Sequence, residues 1–267
     1  MTRTPRLLGL IALCALSCEN KPSGSSPAPS ASVSAKAAAA AVEQGFGVES
    51  AGSSVSFQME SPLEKIHGEA IDAVRGELRV NLSHIEQSTG SIEVDLDKLS
   101  LSQQRRKDEK HDYSPSARND AQNREAREWL QLEAREGEIA EEQAKRNRLP
   151  KFTLERLENP SASDVQGLSG AERNVGASAR GSLLLHGRTN KQTVKLDLTF
   201  VYAGERVEAI RVKTSEPLRV ALEAYDVNPR TRTGKLVKTI QEALAGEFGK
   251  KLRSEVLLEL SFTAKPR

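Results

Sequence analysis

The segment Val175–Tyr202, VGASARGSLLLHGRTNKQTVKLDLTFVY, constrains the fold of this chain more than any other. Its second half alternates without a fault. Val194, Leu196, Leu198, Phe200 and Tyr202 point one way; Thr193, Lys195, Asp197, Thr199 and Val201 point the other. Period-two alternation marks a strand with one buried face and one wetter face. The first half, from Ala179 to Leu185, reads as a second strand with Leu183 and Leu185 on one face. Gly187-Arg188-Thr189-Asn190 supplies turn chemistry between them, since Gly tolerates positive φ and Asn visits the left-handed region. A long antiparallel hairpin needs further strands to cover its apolar face.

Those strands are spread along most of the chain. Val55, Phe57 and Met59 alternate, and Glu64–Ala70 forms a weaker strand. Val74, Gly76, Leu78, Val80 and Leu82 follow, then Ile92, Val94 and Leu96 after a loop at Gln87–Gly90. Strands resume at Pro150–Glu155, Val207–Val212 and Leu218–Leu222. The last is Val256, Leu258, Leu260, Phe262 and Ala264. Closely spaced short strands with turn signals between them predict a sandwich or a barrel. A long apolar final strand is an exposed edge unless it pairs, and pairing with the first strand would close a barrel.

Two stretches break the pattern. Residues 100–148 are dense in charge, and NREAREWLQLEAREGEIAEEQAKRNR reads as helical, with Trp129 and Leu130 placed to pack on the domain. Residues 225–251 carry Leu236, Ile240, Leu244 and Phe248 along one helical stripe. The expected fold is therefore all-β, an antiparallel barrel with two helical insertions.

The N-terminus reads as a sorting signal. Arg3 and Arg6 precede an apolar run, Leu7–Leu16, too short to span a bilayer as a mature helix. Ala15-Leu16-Ser17-Cys18 then resembles a bacterial lipobox, so Cys18 is the expected lipid attachment site and 1–17 the signal peptide. Multiple acyl chains would hold the protein to a membrane, at about 0.8 kcal/mol per buried CH₂. Residues 18–45, rich in Ser, Ala and Pro, cannot bury enough apolar surface to order themselves and read as a tether. The barrel domain is assigned to 46–267. The expected location is the cell envelope, as an anchored lipoprotein of the outer membrane; Glu19 after the cysteine is not the Asp linked to inner-membrane retention.

Composition excludes several functions. Net charge is +2, which gives no electrostatic case for nucleic acid. The two cysteines, Cys14 and Cys18, both fall in the signal region, so no disulfide, thiol nucleophile or thiolate metal site is expected in the domain. His67, His84, His111 and His186 are dispersed without metal-ligand spacing. No phosphate-binding loop, dinucleotide fingerprint or nucleophile elbow is present, and no cofactor is implied.

The hairpin Gly181–Val194, GSLLLHGRTNKQTV, resembles the G-x-L-T-I-x-G-x-T-K-x-V hairpin of the YceI-like family. Ser53–Phe57 is similar to that family's opening strand, Val74–Leu78 to its F-x-G strand and Ser91–Leu99 to its S-V-x-V-x-I-D strand. Leu218–Val227 and Glu255–Leu260 resemble its ending. The family's R-D-x-H-L segment corresponds to Asn123–Leu132, which has no His, and the charged helical insertion after it is extra. The resemblance implies a lipocalin-like barrel that binds a polyisoprenoid or similar long-chain lipid in its lumen, without enzymatic chemistry. The lumen candidates are Phe57, Phe152, Val194, Leu196, Leu198, Phe200, Leu258, Leu260 and Phe262. The expected partners are a long-chain apolar lipid (polyisoprenoid, quinone-like or fatty-acyl) and the membrane through lipidated Cys18; a homodimer is left open. The same residues also fit a packed core. On that second reading the protein is an adaptor lipoprotein with a filled barrel, binding partners through its helical insertions.

Overall fold

The computed structural model describes residues 43–118, 120–227 and 255–267. The stretch read as a signal peptide, Cys18, most of the stretch read as a tether and the stripe Leu236–Phe248 lie outside the described residues. In chain order the strands are β1 (Glu43–Ser61), β2 (Glu64–Ile71), β3 (Val74–Asn81), β4 (Thr89–Val94), β5 (Leu99–Arg105) and β6 (Ala117–Arg118). After helices α1 (Asp120–Trp129) and α2 (Glu141–Asn147) come β7 (Lys151–Glu158), β8 (Glu172–Leu185), β9 (Arg188–Ala203), β10 (Arg206–Thr214), β11 (Leu218–Ala221) and β12 (Glu255–Pro266).

Eight strands close a barrel in the order β1, β3, β4, β7, β8, β9, β10, β12, and β12 returns to pair with β1. Every ladder is antiparallel. The closing ladder sets Phe46 opposite Pro266 and Val55 opposite Leu260, so the last strand is sealed as an edge. The period-two faces of β9 hold as expected: Val194, Leu196, Leu198, Phe200 and Tyr202 are buried, while Thr193 and Lys195 are exposed.

The central hairpin turns earlier than the residue types predict. β9 begins at Arg188, opposite Leu185, which leaves His186-Gly187 as a two-residue loop. Both residues have positive φ, 51° and 73°. That is the conformation whose twist matches the flanking strands. Arg188, Thr189 and Asn190, read as turn residues from their chemistry, are already in the ladder.

One end of the barrel is plugged. The loop between β7 and β8 inserts Val165, which is fully buried, beside Ile85 of a short 3₁₀ turn. The Val165 amide donates to Leu82 O at 2.8 Å and the Ile85 amide to Ser163 O at 3.0 Å. Arg173 stacks its guanidinium 3.7 Å from the Tyr202 ring centre and donates to Val165 O and Gln166 O at 2.9 and 3.0 Å. An Arg173→Ala substitution removes the stacking and these charge-assisted bonds, together with a longer one to Gly170 O at 3.4 Å. It is expected to cost about 2–3 kcal/mol, read as a lower urea midpoint at unchanged slope.

At the other end the strands bend and splay. β2 continues β3 along β1, and β5 continues β4, through a shared kink. Asp72 sits at the kink with φ 54°. Its carboxylate accepts from Gly52 N at 2.7 Å, its amide donates to Ser53 O at 2.8 Å, and buried Ser53 Oγ accepts from Val74 N at 3.0 Å. β1 answers with a bulge between Glu49 and Ser54. Beyond the kink β5 pairs with β6 rather than with β7, and α1 packs against β5 there.

The first insertion thus differs from its predicted form. It opens with strand β5, and its first helix stops at Trp129, before Ala134. Gln131 adopts a left-handed conformation (φ 52°), and the Leu132 amide reaches back to Arg127 O at 2.9 Å. This closure ends a helix by satisfying its last carbonyls. Asn123 fixes α1 to the edge of β5, accepting from Leu101 N at 2.8 Å and donating to Leu101 O at 3.1 Å. β1 also starts ahead of the sequence reading, with Glu43 paired to Asn81.

Candidate lipid-binding cavity

The alternating faces of the barrel converge on one apolar interior. The buried residues fall into two clusters, one within the closed barrel around Phe46, Phe200, Ile210 and Phe262, the other at the splayed end around Ile66, Leu101, Val220 and Tyr225. Leu218 packs against both. Between them runs a cavity of about 240 Å³.

All nine residues named from the sequence as lumen candidates stand on its wall. Val194, Leu196, Leu198 and Phe200 come from β9, and Leu258, Leu260 and Phe262 from β12. Phe57 of β1 and Phe152 of β7 complete the set. The sequence reading missed the splayed storey, where Met59, Ile66, Leu101, Trp129, Leu130 and Leu222 also face the cavity. Ile66, Gly68 and Ala70 do alternate in the sequence, a pattern weakened there by two small residues.

The wall carries no Asp, Glu, Lys, Arg or His among the described residues; its polar members are Ser88, Thr89, Ser91 and Thr214. Charged groups cannot leave water without a partner, so a wall of this kind selects against ions and for hydrocarbon. The room inside has a structural cause. A Cβ at Gly68 would lie 2.2 Å from Phe57 Cε1, and one at Gly181 would lie 2.7 Å from Phe152 Cζ. Each ring therefore occupies space that a side chain on a neighbouring strand would otherwise fill.

The four histidines stay apart. His67, His84 and His111 are exposed, and His186 lies in the hairpin turn with Nδ1 3.2 Å from Tyr225 O. Among the described residues no cluster of three or more His, Cys, Asp or Glu side chains suits a metal ion. Burial pushes the Tyr202 hydroxyl above the ordinary phenol range, against the opposing pull of Arg173.

The architecture is a closed eight-stranded antiparallel barrel of lipocalin-like class, plugged at one end and splayed at the other, with an uncharged apolar lumen. It is the fold that the YceI-like resemblance implies, including the final strand sealed against the first. No family model and no curated protein matches the chain. Among solved structures it is similar to a polyisoprenoid binding domain from Saccharophagus degradans implicated in plant cell wall breakdown. That likeness has 14% identity and a TM-score of 0.48, over 83% of this chain and 98% of that one. It is also similar to Burkholderia cenocepacia BcnA, at 14% identity and a TM-score of 0.43, over 82% and 99% of the two chains.

Proposed function

We propose that this protein binds a long-chain apolar molecule (polyisoprenoid, quinone-like or fatty-acyl) in the barrel lumen and sequesters or carries it without covalent chemistry. The observation that supports this reading is the uncharged wall running through both storeys of the barrel. Affinity comes from removing hydrocarbon from water, at about 0.8 kcal/mol for each CH₂ buried. Within the lumen the charge-free surroundings leave shape and length, not hydrogen bonding, to select the hydrocarbon chain.

The test is native mass spectrometry, with organic extraction, of protein purified from a bacterial host. A stoichiometric lipid released on denaturation supports the reading. An apo mass that stays unchanged after incubation with lipid extract overturns it in favour of a filled barrel, and attention then passes to partners of the 100–148 insertion.

Trp129 gives an independent readout, because it is the sole tryptophan of the chain and stands on the cavity wall. Uptake of a saturating alkyl chain is expected to shift its emission to the blue, and a Trp129→Phe variant is expected to lose that signal while still binding.

The same proposal places the barrel on a membrane through Cys18. A Cys18→Ser variant is expected to move from the membrane pellet to the soluble periplasmic fraction and to lose incorporation of labelled palmitate. Unchanged partitioning and labelling would remove the anchor from the proposal.

A further inference from the structure

The lumen has a slit in its side wall. β10 pairs with β9 as far as Thr214 opposite Leu196, and the Ser215 amide adds one more bond to Lys195 O at 3.0 Å. The chain then swings away, and β11 pairs with β12 instead of β9. The two rims meet again through side chains. Asn190 Nδ2 donates to Ala224 O at 2.9 Å, and Gln192 Nε2 donates to the Tyr225 hydroxyl at 3.0 Å. Between these closures lies a gap with no ladder across it among the described residues.

A shallow, open groove of about 260 Å³ sits at this gap, walled by residues 192–195 on one rim and 216–219 on the other. Val194 and Leu218 line both the lumen and the groove, and these two residues are the partition the two spaces share. The chemistry changes across that partition. The inner chamber is uncharged; the outer one carries Lys195, Glu216 and Arg219, with Gln192 and Thr193 as further donors. Lys195 Nζ spans the rims to Glu216, 3.0 Å from Oε1 and 3.1 Å from Oε2. Arg219 reaches Glu255 at 3.9 Å, a long contact for an ion pair, and two thirds of its side chain is exposed.

We propose that this slit is the subsite for the polar end of the ligand: an amphiphile keeps its chain in the lumen and passes an anionic terminal group, carboxylate or phosphate, between Val194 and Leu218 to lie against Lys195 and Arg219. The proposal rests on the lumen reading above and adds the class of head group. An anion held inside an uncharged wall would be unpaired, which is strongly unfavourable. Outside the partition it meets donors of the kind that bind carboxylate and phosphate. Opening the way breaks little. Among the described residues β11 has one strand neighbour, and the Lys195–Glu216 pair is an exposed contact of small worth. Glu216 is then a competitor, occupying Lys195 until an anionic head displaces it.

The experiment titrates the full-length chain with geranylgeranyl phosphate, oleate and uncharged geranylgeraniol, at low and moderate salt. The double variant Lys195→Gln/Arg219→Gln is expected to bind the two anions about tenfold more weakly while binding the alcohol within about twofold of the unaltered chain. Glu216→Gln is expected to act in the opposite direction, tightening the anions severalfold. These are surface substitutions, and circular dichroism of each variant is expected to match the parent. The anion that loses more in the double variant identifies the head group. Equal weakening of all three ligands, or no weakening of either anion, overturns the subsite while leaving the lumen reading in place. If the unaltered chain takes up none of the three, the lumen reading fails and the subsite falls with it.

Discussion

A Gly76→Ala substitution is expected to destabilise the barrel by about 3–5 kcal/mol. Two independent causes act at this position. Gly76 has φ +153°, a conformation that side-chain-bearing residues rarely adopt. Its Cβ would also lie 2.1 Å from Ser91 O and 2.8 Å from Ile92 Cα, both backbone atoms of the neighbouring strand. A flexible side chain could swing clear, but a ladder cannot. Gly76 pairs with Ile92 on one side and with Val48 on the other, so moving either partner disturbs a second ladder. The measurement is the urea midpoint of the variant against the parent. Gly176→Ala is the control: nothing lies within 4 Å of a Cβ there, and its midpoint is expected to stay within about 0.5 kcal/mol of the parent. Equal effects of the two substitutions would refute the steric explanation.

The largest expected effect on ligand binding belongs to Leu258→Trp. Leu258 is half-buried, lines the cavity and pairs with Phe57 on one side and Leu218 on the other. It therefore stands where the lumen of the closed barrel passes into the splayed storey. An indole at this point occupies space that hydrocarbon would otherwise fill. Displacing two methylenes at about 0.8 kcal/mol each weakens binding by roughly tenfold or more. Stability should hold or rise, because the added ring covers apolar wall. Titration with a fluorescent long-chain probe reads the first effect and thermal melting the second. Unchanged affinity would mean that the ligand does not pass Leu258.

Which features could be read from the residues follows a physical line. Alternation along β9 and β12 announces strands and groups their side chains by face without saying which face is inside; the structure puts the residues named from those strands on the cavity wall. Alternation does not say whether inward side chains meet across the axis. That depends on relations between strands, such as Phe57 lying over Gly68 from the next strand, which no local pattern contains. The kink was equally hidden. Asp72, Ser53 and Gly52 look like ordinary loop residues until they are brought together by hydrogen bonds across twenty positions of sequence. Because the kink creates the splayed storey, missing it meant missing Ile66, Leu101 and Leu222 as wall residues. The helix was read from its charge pairs, but its end was not. Gln131 takes a left-handed conformation usually given to Gly or Asn, so its side chain gives little local warning.

The sealing of β12 on β1 also governs how the barrel is assembled. Phe46 is opposite Pro266, so the ladder joins residues about as far apart in sequence as the domain allows. Contacts of such long range form late and slow folding, because the intervening loop must be ordered before they are rewarded. Until β12 is available, the apolar faces of β1 and β10 have no second neighbour along this seam. During synthesis the nascent domain would thus present a sticky, half-closed sheet, the kind of intermediate that aggregates or recruits a holdase. The seam that protects the finished protein is, on this view, also its point of greatest exposure to misfolding.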